Sequence, residues 1–434
     1  MSTTPLTLSI AGQPTPITLP QVPGTRGHVG VDIRELNHSG FCSYDPGFAN
    51  TAGCQSAISW IDTENSVLLH RGYPVDQLAR QCDFLEVAYI MLNGDAPDEA
   101  SYQTFRETIT RHTLVHEQIA RMCSGFRRDS HPMALMCALV GALAAFYHDV
   151  LDVENPQHRA LAATRLLSKM PTIGAMSYKY TIEQPAAYPR NDLSYAGNFL
   201  QMLFAIPAEK YVLNPVIEQA MNQILVLHAD HGQCASTTTV RAAGSSGANL
   251  FACVAAGLAS LWGPMHGGAN ESSMRMLEEI ESVDQVPAFL RQAKRDPQAF
   301  RRLGFGNSRY RHRDPRADIL RETSHRVLAE VGMSDRLLQV AMALEDVALT
   351  DPYFVENGLS PSVDFYTAVI LKAMNLPSSM FAVVTAVGRT VGWVAHWNEM
   401  HQAPLTIYRP RQIYVGEEYR DYVSRRSEQP TGSR

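Results

Sequence analysis

Hydrophobic residues recur at helical spacing along most of this chain, and only its beginning alternates as strands do. TLSI and PITL, near the start, alternate apolar and polar positions between turn-forming glycines and prolines, which predicts a small β arm over residues 1–48. From about Ser56 the pattern is helical, apart from a possible short strand or hairpin in SAISWIDTENSVLLHRG. The chain is therefore predicted to be mainly α-helical, with its strands near the N-terminus.

Several segments carry the helical pattern, separated by clusters of Gly and Pro that serve as stop signals. They are FLEVAYIMLNG, PMALMCALVGALAAFYHDV, RALAATRLLSKM, LSYAGNFLQMLF, NPVIEQAMNQILVLHADH, ANLFACVAAGLASL and FAVVTAVGRTVGWVAHW. The sixth, Ala248 to Leu261, lacks a polar stripe, so we expect it to be buried. It is too short for a membrane span.

Three histidines flank this apolar helix. His228 and His231 would share one face of a helix, and His266 precedes Gly267 and Gly268, where side-chain bulk is absent. Histidines at both ends of a buried helix would face an enclosed cavity. They could instead be satisfied core residues, or the first two could hold a metal, although no acidic residue follows at a spacing typical of zinc enzymes.

Composition narrows the classes of protein. A chain of 434 residues with 45% hydrophobic and 18% charged residues is an ordinary globular protein, long enough for two domains. A net charge of −6 gives no reason to expect a nucleic-acid partner. Seven cysteines without a Cys-x-x-Cys pair indicate free thiols in a reducing compartment, and the N-terminus does not resemble a secretory signal. We therefore expect a cytoplasmic protein without a membrane partner.

One stretch of the chain is strongly basic. Eleven Lys or Arg stand against four acidic residues between Arg291 and Arg326, a balance of +7. The first basic residues of this stretch fit a solvated helix face. In GFGNSRYRHRDPRA, however, glycines and a proline predict a loop, and arginines beside a helix N-terminus at Asp314 and Pro315 are suited to bind phosphates or carboxylates.

Two charged residues lie in apolar surroundings further along. Asp364, in SPSVDFYTAVILKAM, could be a helix cap, or it could be a base whose pKa is raised by the apolar segment around it. Arg389 lies in a strongly apolar helix without an acid within one turn, so a ligand carboxylate is a candidate partner. Arg409 and Arg411 are two further arginines near the end of the chain.

Motifs in order along the chain resemble those of citrate synthases, specifically the bacterial type with an N-terminal β arm. They are SYDPGFANTAGC, LLHRGYPVDQLA, LHADHGQCAST, SSGANLFACVAAGLASLWGPMHGGANE, DPRA, NGLSPSVDFYTA and GRTVGWVAHWNEM. The resemblance covers almost the whole chain after about residue 40. It implies a two-domain helical fold in a homodimer or homohexamer, with a β arm (1–48), a large domain (49–276 and 386–434) and a small domain (277–385) that closes over the substrates.

The family to which these motifs point consists of acyltransferases that convert the acyl group into an alkyl group on transfer. They condense acetyl-CoA with oxaloacetate and then hydrolyse the thioester, releasing citrate and CoA. The resemblance implies acetyl-CoA as a co-substrate, no tightly bound cofactor and no metal. Closure of the small domain would expel water from the site.

The resemblance also assigns roles to individual residues. Asp364 matches the base that takes a methyl proton from acetyl-CoA, and His266 matches the donor to the thioester oxygen as the enol forms. The resemblance also implies that His228, His231, Arg316 and Arg389 bind the oxo acid, that Arg409 reaches across a subunit interface, and that Arg311 contacts CoA. We add Arg313 as a second predicted CoA contact.

One position departs from the family pattern. Where the family has Gly-[Phe/Tyr]-Gly-His, this chain has GFGN, so Asn307 replaces the histidine that donates to the ketone of oxaloacetate. An amide still donates a neutral hydrogen bond, but it cannot carry positive charge. Loss of such a donor typically costs about 10²- to 10³-fold in rate. Ser308, Arg309 and Arg313 also diverge, and the two arginines add positive charge there.

Three interpretations follow. The first is a condensing enzyme of phosphonate biosynthesis, in which Asn307 and Arg309 help to bind 3-phosphonopyruvate and the product is 2-phosphonomethylmalate. The second is a citrate or 2-methylcitrate synthase that uses oxaloacetate, with Arg309 or His312 supplying the missing charge. The third is a non-catalytic CoA-binding protein, although such a protein does not need a base at Asp364.

Overall fold

The computed structural model describes residues 4–11, 15–296, 304–306, 310, 313–332 and 335–422. These residues form two compact units. One consists of the described parts of Met1–Pro23, Val29–Ala52 and Tyr408–Arg434, and the other of Gly24–His28 and the described parts of Gly53–Ile407. Helix makes up 56% and strand 5% of the structure, so the prediction of a mainly helical fold with a small N-terminal β segment is confirmed.

The strands form short antiparallel pairs. In the first unit, the predicted TLSI and PITL strands pair with each other, and a second pair follows them. In the second unit, the predicted hairpin is present and gains a third strand. The strands are β1 Leu6–Leu8, β2 Ile17–Leu19, β3 Gln21–Val22, β4 Gly30–Val31, β5 Ser59–Asp62, β6 Val67–His70 and β7 Tyr73–Pro74.

The second unit contains the α-helices of the described residues. In chain order these are α1 Val75–Gln81, α2 Phe84–Asn93, α3 Glu99–Arg111, α4 Glu117–Met122, α5 Pro132–Phe146, α6 Pro156–Thr181, α7 Tyr195–Phe204, α8 Pro215–Leu227, α9 Ala235–Gly244, α10 Leu250–Leu261, α11 Ala269–Glu279, α12 Val286–Ala293, α13 Pro315–Val331, α14 Arg336–Thr350, α15 Pro352–Glu356, α16 Val363–Ala373 and α17 Phe381–Met400. Short 3₁₀ turns are Arg34–His38, Cys123–Gly125, His148–Val150, Val283–Gln285 and Ser378–Met380.

The expectation that His228 and His231 share a helical face is wrong, because α8 ends at Leu227. The imidazole Nδ1 and the main-chain nitrogen of His228 both lie within hydrogen-bond distance of the Ile224 carbonyl oxygen. The Asp230 carboxylate then accepts from the Gly232 nitrogen over 2.8 Å. The two side-chain bonds, from the His228 imidazole and to the Asp230 carboxylate, compete with a further helical turn, as polar side chains at helix ends commonly do.

The burial expected of Ala248 to Leu261 holds for only part of its surface. Leu250, Phe251 and Leu258 are fully buried on α10, whereas Ala252 and Ala259 are exposed in the single chain. Alanine counts as apolar in a periodicity pattern, but its small surface makes exposure cheap. The pattern therefore overestimated burial on the alanine side.

Helix α17 forms the centre of the second unit. The helical stretch Ser378–Met400 is long and apolar enough to cross a membrane, but 89% of its most apolar window is buried inside the protein, as in a core helix. Cβ atoms at Gly388 or Gly392 would lie within 3 Å of the Leu225 carbonyl oxygen and the Asp230 carboxylate respectively. These glycines let the backbone of α17 approach the end of α8, and this approach places Arg389 beside His228.

Candidate active site

Arg389 is held on the end of α8. It is 4% exposed, and its guanidinium donates from Nε to the His228 carbonyl oxygen (2.7 Å) and from Nη1 to the Cys234 sulfur (3.1 Å). Among the described residues, Arg389 forms no ion pair and its Nη2 has no hydrogen-bond partner. A buried guanidinium without a carboxylate partner is suited to bind an anionic ligand.

Arg316 is bound differently. Asp314 is the N-cap of α13, and its carboxylate accepts from Arg316 Nε (2.9 Å) and Nη2 (2.7 Å) in a bidentate pair. Although burial acts in the opposite direction, the charge and hydrogen bonds of Asp314 raise the pKa of Arg316. Arg316 therefore stays charged, but part of its hydrogen-bonding capacity is already used within the protein.

Two histidines lie beside these arginines. Burial, with the charges of Arg316 and Arg389, lowers the pKa of His228 to about 3, so its imidazole is neutral. Because Nδ1 donates to the Ile224 oxygen, Nε2 is an acceptor, and it is buried without a partner in the described part of the chain. His231 is 8% exposed, and its Nε2 lies 3.1 Å from the hydroxyl of Tyr310.

His266 lies in the tight turn between α10 and α11. Gly267 donates to the Leu261 oxygen over 2.8 Å, and a Cβ at Gly267 would lie 2.6 Å from that oxygen, so glycine is required there. The backbone nitrogen of Ser236 donates to His266 Nε2 over 3.4 Å, and the Ser236 hydroxyl lies 2.8 Å from the same atom. A backbone N–H only donates, so Nε2 is the acceptor and the proton of the neutral imidazole is on Nδ1.

Asp364 lies in the first turn of α16. The N-cap of that helix is Ser362, whose hydroxyl accepts from the Asp364 nitrogen over 3.1 Å, so the interpretation of Asp364 as the cap is wrong. Burial raises the pKa of the Asp364 carboxyl to about 6, and Asp314 adds to this, while Arg316, His266 and Arg389 oppose it. The charges of His266 and of both buried arginines therefore act on the carboxyl group of Asp364.

Not all of the other predicted residues are described by the structure. Asn307, Arg309, Arg311 and His312 lie outside the described residues. Arg313 pairs with Asp318 over 2.7 Å, and its Nε and Nη2 are buried without partners among the residues that the structure describes. Arg409 is exposed and belongs to the first unit. Within the described part of the chain, no group of three or more His, Cys, Asp or Glu side chains is arranged to hold a metal ion.

Sequence reasoning missed three residues of this site. Ser236 orients His266, Cys234 contacts Arg389, and Tyr310 contacts His231. Ser236 and Cys234 stand directly after the His228 and His231 motif, which is the only signal that could have marked them. Their partners lie far along the chain, so neither spacing nor periodicity indicates the contacts.

A family model and several solved structures match this chain. The family model described as citrate synthase, C-terminal domain, matches residues 47–411. The citrate synthase of Pyrobaculum aerophilum is 31% identical, with a TM-score of 0.81 over 88% of this chain and 95% of its own. That of Thermoplasma acidophilum, in a ternary complex with carboxymethyl coenzyme A and oxaloacetate, is 26% identical, with a TM-score of 0.80 over 89% of this chain and 100% of its own.

A third structure, citrate synthase from Thermotoga maritima MSB8, is 28% identical, with a TM-score of 0.74 over 88% of this chain and 99% of its own. Enzymes of this type condense acetyl-CoA, as a co-substrate, with a 2-oxo acid and need no tightly bound cofactor. The family match spans most of the chain, and the structural agreement extends over nearly the whole length of each relative. This chain belongs to the citrate synthase family.

Proposed function

We propose that the enzyme condenses acetyl-CoA with 3-phosphonopyruvate, forming 2-phosphonomethylmalate and free CoA. The observation that carries this proposal is Asn307, an amide where the family has a histidine. A neutral amide with additional arginines nearby suits an oxo acid that has more negative charge and more acceptor oxygens than oxaloacetate. A phosphonate has three acceptor oxygens in place of the two of a carboxylate, and arginines bind such groups well.

In this mechanism, Asp364 removes a proton from the methyl group of acetyl-CoA. The electrons of the C–H bond form the enol, and the Nδ1–H of His266 donates to the thioester oxygen, where negative charge develops. A raised pKa suits Asp364 as a base because a carboxylate of ordinary pKa is too weak to remove a carbon-bound proton readily. Preorganisation of His266 by Ser236 means that this donor needs no reorientation during the step.

The enol carbon then attacks the ketone of the oxo acid, which Arg316, Arg389 and His231 hold. The neutral His228 adds no positive charge, so charge neutralisation falls to the arginines. Water subsequently attacks the thioester carbonyl, the C–S bond breaks and CoA leaves. Asn307 donates a hydrogen bond to the developing alkoxide, which becomes a hydroxyl with one proton, balancing the proton that Asp364 accepted and then releases. Arg311 and Arg313 contact CoA.

Closure of the small domain, residues 277–385, over the large one completes this site. The protein works as a homodimer or homohexamer, in which Arg409 reaches the oxo acid of the partner subunit. Support comes from the exposure of Arg409 and from the absence of an acid paired with Arg389 among the described residues.

Oxaloacetate is the second candidate electrophile, which would make the protein a citrate or 2-methylcitrate synthase. The ternary complex of the Thermoplasma acidophilum enzyme contains oxaloacetate, and that observation favours it.

A thiol assay of CoA release separates these candidates when acetyl-CoA is combined with 3-phosphonopyruvate, oxaloacetate or pyruvate. We expect the largest kcat/KM with 3-phosphonopyruvate, together with a product of the mass of 2-phosphonomethylmalate. Pyruvate, which lacks the second anionic group, is the matched control. Preference for oxaloacetate would establish the second candidate, and release with none of the three would contradict both.

A further inference from the structure

The side chain of Asn270 contacts the proposed base. Asn270 is fully buried in the first turn of α11, and its amide nitrogen donates to Asp364 Oδ1 over 2.6 Å and to the Asp364 main-chain oxygen over 3.1 Å. The opposite orientation of the amide would direct its oxygen at these two acceptors. The hydrogen-bond network therefore assigns the amide nitrogen to the Asp364 side.

The other end of the Asn270 amide is also held. This end is the amide oxygen, which faces the hydroxyl of Thr385 on α17 at 3.4 Å and accepts from it. Thr385 is 4% exposed. The amide is thus fixed between α16 and α17, with little freedom to rotate away from Asp364.

Asn270 is joined to His266 by a short and rigid piece of backbone. Ala269 donates to the His266 oxygen over 3.2 Å, and Gly268 donates to the Gly263 oxygen over 3.1 Å. A Cβ at Gly268 would lie 2.9 Å from Pro264 Cα, so the turn is closely packed. A single turn therefore presents both the imidazole of His266 and the amide of Asn270.

We infer that Asn270 is a positioning residue that engages Oδ1 of Asp364 and thereby leaves Oδ2 as the atom that accepts the proton of acetyl-CoA. This inference rests on the proposed role of Asp364 as the base. The hydrogen bond fixes the plane of the carboxylate relative to the His266 turn. It also favours the ionised form of Asp364, opposing the effect of burial, so the base remains available near neutral pH.

Replacement of the donor tests this inference. Asn270→Asp keeps the shape of the side chain but loses the N–H donor and adds a like charge beside Asp364. We expect kcat to fall about 10- to 100-fold, with the KM for the oxo acid within about threefold of the wild-type value. The acid limb of the kcat profile should move upward by about one pH unit. The isotope effect with methyl-deuterated acetyl-CoA should increase, because proton removal becomes more rate-limiting.

Asn270→Ser retains a hydroxyl donor and should lie between the wild type and Asn270→Asp in each measurement. If the Asn270→Asp variant does not fold, Asn270→Ser still allows kcat, the pH profile and the isotope effect to be measured. Ser272→Ala is the matched control, since Ser272 lies on the same helix and its hydroxyl bonds to the Gly268 oxygen. Its pH profile and isotope effect should equal those of the wild type.

The variant Asp364→Asn distinguishes a failure of the inference about Asn270 from a failure of the proposed base, Asp364. If Asp364→Asn is inactive while both Asn270 variants keep the wild-type acid limb and isotope effect, the role of Asn270 is overturned and that of Asp364 stands. If Asp364→Asn retains full turnover, the proposed base itself is wrong.

Discussion

Arg389 reaches back from the centre of α17 to the carbonyl oxygen of His228, 2.7 Å from its Nε. This bond orients a buried guanidinium whose Nη2 has no partner among the described residues. We predict that Arg389→Lys raises the KM for the oxo acid about 10- to 100-fold, because an ammonium keeps the charge but loses the planar fork. Steady-state kinetics at varied oxo acid and saturating acetyl-CoA would measure this. Arg80→Lys, at an exposed pair with Glu322, is the control. An unchanged KM would remove Arg389 from the binding site.

The pH profile should report the ionisation of Asp364. Burial raises its pKa to about 6, and a base acts in its ionised form. We therefore expect log kcat/KM to level off above about pH 6 and to fall with unit slope below it. Asp364→Asn should reduce kcat about 10²- to 10⁴-fold. A profile that stays flat down to pH 4.5 would contradict the raised pKa.

Ser236 should matter through the orientation of His266. We predict that Ser236→Ala lowers kcat about tenfold or more, because the imidazole loses the hydroxyl contact at 2.8 Å that helps to hold its orientation, although the backbone N–H of residue 236 remains. Thr239→Ala removes a hydroxyl from the same helix that bonds only locally, to the Ala235 oxygen, and should leave kcat unchanged. Equal losses in the two variants would indicate an effect on the helix rather than on His266.

The substitution Asn307→His introduces the histidine that the resemblance implies at this position. We predict that it raises turnover of oxaloacetate about 10²-fold or more, since it returns a donor of the kind whose loss carries that cost. Turnover of 3-phosphonopyruvate should fall in the same variant. A ratio of the two kcat/KM values, measured in one preparation, is independent of the active fraction. Lower turnover on every oxo acid would show that the amide does not determine the choice of substrate.

Gly392 should be required for both stability and binding. A Cβ there would contact the Ala229 carbonyl oxygen and lie 2.7 Å from Asp230 Oδ1. We predict that Gly392→Ala lowers the free energy of unfolding by about 1–3 kcal/mol and weakens oxo acid binding, because it displaces the segment that carries His231. Denaturant titration measures the first effect. Gly125→Ala, where a Cβ meets nothing within 4 Å, is the control.

The sequence predicted local features well. The helices around Arg389 and Asp364, the Asp314 cap and the N-terminal strands each follow from short-range patterns of apolar and capping residues. The lack of an acid near Arg389 was also visible, and no described acid pairs with it in the structure. These features depend on neighbours within a few residues, which a linear pattern contains.

Contacts between distant segments were not predictable in this way. Ser236 and His266 are 30 residues apart, and Tyr310 and His231 are 79 apart. Periodicity identifies which face of a helix is buried, but it does not identify the partner of that face. The end of α8 was also missed, since the competing bond from the His228 imidazole to the Ile224 oxygen leaves no trace in the hydrophobic pattern.

The closely packed glycine turn at residues 263–268 has a consequence for how the choice of substrate can change. In the proposed mechanism, carbanion generation uses His266 of this turn together with Asp364 of α16, and a Cβ added at Gly267 or Gly268 would lie within 3 Å of backbone atoms. The position proposed to change the second reactant, Asn307, is elsewhere in the sequence. Under this proposal, substitutions near position 307 can exchange one electrophile for another while the residues that activate the acyl donor are retained.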